Sequence, residues 1–311
     1  MSKIYELIGA TKEELKQLAS RIPENYITYQ IKKPRSNARR TICAPEPRLK
    51  EIQTSIVKNV LYKFKTHRIA HGFVHERDPK TNALEHLGCK LLIKLDLKDF
   101  FESIGKDKVI TLFQILLKKI AEDITLEDIK ILAEICTLKN SLPQGAPTSP
   151  AISNLYVASM DTNIYALATA RFYKVTRYAD DITFSYHNVP IPKRKAVLDL
   201  INQVNTIVEA YDLVINRKKT KIRTSAGRLA VTGVVVNSKL NLARKEYKII
   251  RARVHNYHTR KDELDEHGIQ VLRGKLEWLN SINPKKAKPL IQKLYSKRLP
   301  KPCNTPETTR V

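Results

Sequence analysis

Two adjacent carboxylates, Asp180 and Asp181, stand at the centre of YKVTRYADDITFSY, residues 173–186. The flanks are rich in β-branched and aromatic side chains, so the stretch reads as two short strands joined by a tight turn that carries both acids. Neighbouring anions repel, and such a turn is comfortable only where a multivalent cation bridges the pair or water solvates both. Taken alone, the pair is more simply a solvated hairpin tip. A third acid upstream changes that reading. In KLLIKLDLKDFF, residues 90–101, strand alternation puts Leu91, Ile93, Leu95 and Leu97 on one face and Leu92, Lys94 and Asp96 on the other, with Asp96 at the strand's exit. Set beside the hairpin, that strand brings three carboxylates to one spot. Oxygen donors without imidazole or thiolate suit Mg²⁺ or Mn²⁺ and not zinc. Two such ions about 4 Å apart activate a hydroxyl and stabilise a departing pyrophosphate, which is nucleotidyl-transfer chemistry.

The charge balance points to the same kind of partner. The 311 residues carry 56 Lys and Arg against 31 Asp and Glu, a net charge of +25, which favours a polyanion over a small neutral metabolite. Residues 240–311 alone hold 17 Lys and Arg against 7 Asp and Glu. No run of about 18 apolar residues is present to span a membrane, and MSKIYELIGATKEE lacks the order of a signal peptide, so a cytoplasmic protein without a membrane partner is expected. Cys43, Cys89, Cys136 and Cys303 are scattered, with no Cys-x-x-Cys pair, and imply neither a zinc ribbon nor a disulfide framework. His67, His71 and His75 recur at four-residue spacing, but Gly72 and Val74 weaken a helix there, and surface or RNA-contacting histidines are the simpler reading.

The elements that must position these groups follow from periodicity and caps. Thr11 and Glu14 open a short amphipathic helix ending near Ser20. Residues 26–31 and 41–44 read as strands around the basic loop 32–40, and residues 47–65 as a helix. Thr81 is a plausible cap for a helical turn over 82–86. Helices are expected over 107–121, over 125–138 with a cap at Thr125, and over 193–211; Ser149 and Pro150 open another long one. Residues 229–237 read as an apolar strand, and basic helices over 243–258, 268–279 and 285–299 precede a Pro- and Thr-rich tail.

Three of these segments, Asp96-Leu-Lys-Asp-Phe-Phe101, LPQGAPTSP at 142–150 and Tyr178-Ala-Asp-Asp181, resemble in order and spacing the palm motifs of reverse transcriptases. Asn82-Ala-Leu-Glu-His86 and Val231-Thr-Gly233 resemble the NAxxH and VTG sequences of bacterial retron reverse transcriptases, and the likeness extends over roughly residues 25–300. LVINRKKT at 213–220 matches a further family pattern, with Asp212 where glycine is usual.

The resemblance implies an α+β right-hand polymerase: an N-terminal helix and fingers over 1–95, a palm of antiparallel sheet backed by helices over 96–238 with part of the fingers interleaved at 105–140, a basic helical thumb over 239–300, and a loose tail. It implies that Asp96, Asp180 and Asp181 are catalytic and hold two Mg²⁺ (or Mn²⁺). By the same likeness Arg40 (or its neighbour Arg39) grips the triphosphate, Phe101 gates the sugar, Gln144 and Gly145 contact nucleotide and template, and Lys219 approaches the triphosphate. Asn82, His86, Val231, Thr232 and Gly233, with Arg251 and Arg253, become candidate RNA contacts. The implied partners are dNTPs, a cognate structured noncoding RNA, its branched product (multicopy single-stranded DNA) and a neighbouring effector in anti-phage defence. Alternatives are a bacterial defence polymerase without branched priming, and a scaffold that only binds RNA or an effector.

Overall fold

A computed structural model describes residues 3–32, 39–259 and 264–296. The chain forms two compact units, one of residues 1–78 and 90–223, the other of residues 79–89 and 224–311.

The first unit opens with α1 (Lys3–Ile8) and α2 (Lys12–Ser20), followed by a hairpin of β1 (Tyr26–Lys32) and β2 (Arg39–Pro45), then α3 (Pro47–Asn59). The Thr11 hydroxyl accepts from the Glu14 amide, which starts α2 where the sequence places it. After α4 (Pro79–Leu84), which belongs to the second unit, come β3 (Leu91–Asp96), α5 (Lys106–Leu117) and α6 (Leu126–Cys136). Thr125 and Asp128 form a reciprocal capping box at the start of α6. Asp128 is buried and also accepts from the Tyr5 hydroxyl and Lys12, so one carboxylate binds α1, α2 and α6 together.

The helix expected after Ser149 is two helices, α7 (Thr148–Tyr156) and α8 (Ala158–Ala170), broken at Val157, whose ψ of 9° lies outside the helical range. The strands β4 (Tyr173–Tyr178) and β5 (Asp181–Tyr186) are those read from the sequence; α9 (Arg194–Glu209) and β6 (Lys221–Thr224) complete the unit. Its sheet has the order β4-β5-β3-β6, with β3 antiparallel to β5 and β5 to β4. Ile93, Leu95, Ile182 and Phe184 are fully sequestered in a core shared with residues of α3, α5–α9 and the N-terminal helices. Burial of this apolar face, at about 25 cal/mol per Å², anchors the sheet on its helices and leaves the strand ends at Asp96 and Asp181 partly open.

The second unit packs α4, a two-residue hairpin of β7 (Ala230–Val231) and β8 (Val234–Val235), and helices α10 (Arg244–His258), α11 (Glu266–Ile282) and α12 (Pro284–Tyr295). The single strand expected over 229–237 is this hairpin: Thr232 (φ 46°) and Gly233 (φ 87°) are both left-handed, as a two-residue turn with matching twist requires. Thr81 lies inside α4 and does not cap it, because the helix starts at Pro79. Leu272, Leu276 and Leu279 of α11, Ile250 and Val254 of α10, and Leu290 and Leu294 of α12 are buried where the three helices pack, while the outward positions keep the basic residues. Among the described residues no helix is long and apolar enough to cross a membrane.

Candidate active site

Register brings the acids together. Asp96 is the direct cross-strand partner of Asp181, and Asp181 is also the partner of Tyr178 at the close of the β4–β5 hairpin. Directly opposed residues project from the same face, so the Asp96 and Asp181 carboxylates leave the sheet side by side. Asp180 occupies the turn, and its carbonyl accepts from the Leu97 amide at 2.9 Å, which ties the turn to the residue after Asp96. On the other side of β3 the Asn216 amide donates to the Asp96 carbonyl at 2.7 Å. The short 3₁₀ turn Arg217–Lys219 then delivers Lys219, whose Nζ lies 2.9 Å from both Asp96 oxygens. Lys94, two residues before Asp96 on the same face, sits 3.9 Å from Asp181.

Burial, followed by the negative charge of Asp181, pushes the Asp180 carboxyl above its ordinary pKa. Burial does the same for Asp181, with Lys94 pulling it back and Asp96 adding repulsion. Lys219 is pushed up, chiefly by its hydrogen bonds to Asp96. Crowded anions in a half-buried setting, with ammonium groups as countercharges, are the electrostatics of a site that takes cations. The oxygen-only donor set fits Mg²⁺ or Mn²⁺. Among the described residues, however, no three acidic, histidine or cysteine side chains are already closed around one point. Asp96 is turned onto Lys219, so an ion reaching Asp96 has to displace that ammonium.

The loop 139–147 packs under β2. The Gln144 carbonyl accepts from the Cys43 amide of β2 at 2.8 Å, and Gln144 Nε2 donates to Glu102 at 2.7 Å. Gly145 has φ 122°, and a Cβ there would stand 2.7 Å from the Cys43 carbonyl oxygen, so only glycine fits under β2. Ile42 Cγ2 approaches that same Gly145 position at 3.0 Å, and strand alternation puts Arg40 on the face of Ile42. Arg39 is on the opposite face and donates to Gln30 at 3.4 Å. The register therefore separates two arginines that the sequence left as neighbours. Phe101 is partly buried, with its ring 5.5 Å from Phe100 and 6.4 Å from Phe73.

The sequence reading did not single out Glu102, Gly72, Arg177, Asn154 or Asp161. A Cβ on Gly72 would lie 2.5 Å from the Ala179 amide nitrogen, so the segment before it is seated directly on the acidic turn. A signal for Arg177 was present: alternation puts it on the row of Val175, opposite Ile182, where an arginine needs a buried acid.

In the second unit the two distant motifs meet. Asn82 Nδ2 approaches the Thr232 hydroxyl at 3.5 Å, and that hydroxyl donates to the Pro79 carbonyl at 2.8 Å. Asn82 (2% exposed), His86 (0%) and Val231 (0%) are interior side chains, whereas Gly233 is exposed. Asn82, His86 and Val231 thus join α4 to the β7–β8 turn from within and do not present their own side chains at the surface, whereas Leu84 and Glu85 of the same stretch are exposed. Arg251 lines an open groove of about 680 Å³ together with Arg228, Arg244, Tyr247, Lys248 and Lys286. Arg253, two residues on along the same helix, is exposed on another side of α10. The three histidines share no helix: His71 is buried and His75 exposed, in a segment of turns.

The sequence profile of the reverse transcriptase (RNA-dependent DNA polymerase) family matches residues 31–293. The chain is 32% identical to the retron Ec86 reverse transcriptase of Escherichia coli over 317 residues, covering 99% of this chain and 94% of that protein. It is also 32% identical to the retron Mx162 reverse transcriptase of Myxococcus xanthus and 33% identical to the retron Mx65 reverse transcriptase of the same organism. Those alignments cover 87% and 86% of this chain, which spans only 60% and 64% of the two Myxococcus proteins. A telomerase from Candida albicans, solved with a fragment of telomeric RNA, aligns at TM-score 0.49 and 10% identity over 90% of this chain and 59% of that one, too slight a likeness to bear on function. With a profile match over most of its length and a relative covered almost end to end, the chain belongs to the reverse transcriptases, RNA-directed DNA polymerases of right-hand fold, and among them to those of retrons.

Proposed function

We propose that this protein copies a structured noncoding RNA encoded beside it, priming from the 2′-hydroxyl of an internal guanosine, and leaves a branched RNA–DNA molecule, multicopy single-stranded DNA. The observation that carries the polymerase chemistry is the placement of Asp96 and Asp181 as cross-strand partners, with Asp180 in the adjoining turn. These three acids would hold two divalent ions, Mg²⁺ or Mn²⁺. When bound, the ions supply activation of the attacking hydroxyl and charge neutralisation at the departing pyrophosphate.

The chain's own residues do the rest. Lys219 leaves Asp96 as the site fills and turns to the triphosphate, where an ammonium serves as point charge and proton donor. Arg40, on the Gly145-facing side of β2, grips the triphosphate, and Gln144 and Gly145 hold the base pair being formed. Phe101, backed by Phe73 and Phe100, excludes a ribonucleotide's 2′-hydroxyl. Fingers (1–95), palm (96–238) and thumb (239–300) divide this labour. The basic helices α10–α12 hold phosphates of the RNA and of the growing duplex in a salt-dependent manner. Asn82, His86 and Val231–Gly233 support RNA recognition from within, by setting the shape of the α4 and β7–β8 surface. The product complex serves anti-phage defence with a neighbouring effector protein.

The gene expressed with its upstream flank tests this reading. Total nucleic acid run on a denaturing gel should show a discrete DNA band that shortens after RNase and debranching treatment and is missing from Asp180→Asn/Asp181→Asn. If the protein extends an ordinary primer on RNA but makes no branched DNA, the priming claim is refuted and a defence polymerase without branched priming takes its place.

A further inference from the structure

Arg177 lies just before the Tyr178–Asp181 turn and is fully buried, as is Asp161 of α8. The guanidinium makes a fork on that carboxylate, Nε to Oδ1 at 2.8 Å and Nη2 to Oδ2 at 2.7 Å. Its remaining nitrogen, Nη1, donates to Asn154 Oδ1 at 3.0 Å and to the Ala179 carbonyl at 3.1 Å. Asn154 and Asp161 are seven residues apart on consecutive helices, close to two turns, so both can face one side chain. Asn154 Nδ2 in turn donates to the Gly72 carbonyl at 2.9 Å.

This network converges on a strained point. Ala179 has φ 54°, a left-handed conformation that costs a non-glycine residue about 1–2 kcal/mol. Its carbonyl is held from below by Arg177, and Gly72 lies against its amide from the side. The strap that carries Gly72 is itself bonded to β4: the Arg177 amide donates to the Ile69 carbonyl and the His71 amide to the Arg177 carbonyl, both at 2.7 Å. A buried ion pair adds little net stability over a well-packed apolar pair, because desolvating both charges offsets their attraction. What a rigid five-donor fork does supply is direction.

We propose that Arg177, Asp161 and Asn154 form a positioning device that fixes the Ala179–Asp181 turn against Asp96, holding the strained Ala179 carbonyl and the Gly72 strap in one geometry. They are positioning residues, since none touches the acids directly. The kinetic part of the test rests on the polymerase reading; the exchange part does not.

Two substitutions separate positioning from stabilisation. Arg177→Lys keeps the charge beside Asp161 but loses the fork, and Asn154→Leu keeps the ion pair and the volume but removes both the tie to Gly72 and the bond from Arg177 Nη1. Hydrogen exchange on the metal-free protein reads the Leu97 amide, which bonds the Asp180 carbonyl, and the His71 amide, against amides at 91–95 in the middle of β3. Both variants should stay folded at room temperature with a lowered melting temperature, since buried partners lose their bonds, and Leu97 and His71 should exchange about tenfold faster or more beyond any change at 91–95, as expected for loss of a charge-assisted hydrogen bond at the turn. In single-nucleotide extension kcat should fall by about tenfold to a hundredfold with KM for the nucleotide little changed. Wild-type exchange at Leu97 and His71 in Asn154→Leu overturns the proposal, as does acceleration spread evenly over β3. Should the wild type itself make no DNA, the polymerase reading falls and the exchange result still decides the clamp.

Discussion

Gly72→Ala is a single methyl group aimed at the turn that carries Asp180 and Asp181. The added Cβ would stand 2.5 Å from the Ala179 nitrogen, 3.1 Å from the Tyr178 carbonyl carbon and 3.3 Å from Tyr178 Cα, all backbone atoms that no rotamer change can move. Ordinary carbon contacts begin near about 3.5 Å, so the turn or the strap must shift by about 1 Å. The strap is bonded to β4 on both sides of Arg177 and to Asn154 through Gly72 itself, so much of the shift falls on Ala179 and the acids that follow it. A displacement of about 1 Å at a reacting centre lowers the rate by about a hundredfold. Overpacking of this kind destabilises by about 1–3 kcal/mol, which leaves most of the protein folded at room temperature. The assay is pre-steady-state incorporation of one deoxynucleotide on an RNA template, beside a thermal melt. A folded Gly72→Ala enzyme with kcat within threefold of the wild type would refute the claim that the strap sets the turn.

Three further outcomes follow, two from the geometry and one from the role proposed for Phe101. Asp180→Asn should raise the melting temperature of the metal-free protein at pH 7: the raised pKa means the fold prefers the neutral acid, so stability is greatest below the unfolded-state pKa and is lost as pH rises through the folded one. That advantage over the wild type should shrink below about pH 4, as seen in melts run with chelator across pH. Asp128→Asn should act in the opposite sense. Burial raises the Asp128 carboxyl but hydrogen bonds from Lys12, Tyr5 and Thr125 outweigh it and hold it well below the usual range, so its contribution is present above the unfolded-state pKa and fades only in strong acid. The variant should lose about 2 kcal/mol at pH 7 in denaturant titrations. Phe101→Ala should let ribonucleotides in, lowering the preference for deoxynucleotides by about tenfold or more in competition assays, while Asp96, Asp180 and Asp181 keep their geometry.

The local parts of this protein are legible in the chain because their physics is local. Alternation in residues 90–101 and 173–186 places the acids at strand ends, and the hairpin forms with the boundaries that β-branched runs and the turn impose. Thr11 and Thr125 start their helices through hydrogen bonds three residues away, visible as short-range patterns. The ordered motifs point to the family because they are short, local strings that survive without any knowledge of the fold. Tertiary structure decided what depends on partners far along the chain. Lys219 meets Asp96 across 123 residues, Asn82 meets Thr232 across 150, and neither distance leaves any periodic trace. Which of Arg40 and Arg39 shares the face of β2 over Gly145 depends on how the strand packs, and the break at Val157 that divides α7 from α8 is not marked by glycine or proline. Arg177 is the clearest case: alternation sets it on the apolar row of Val175, but nothing near it in the chain names its partner, and a buried charge is tolerable only where the packed helices bring an acid to it.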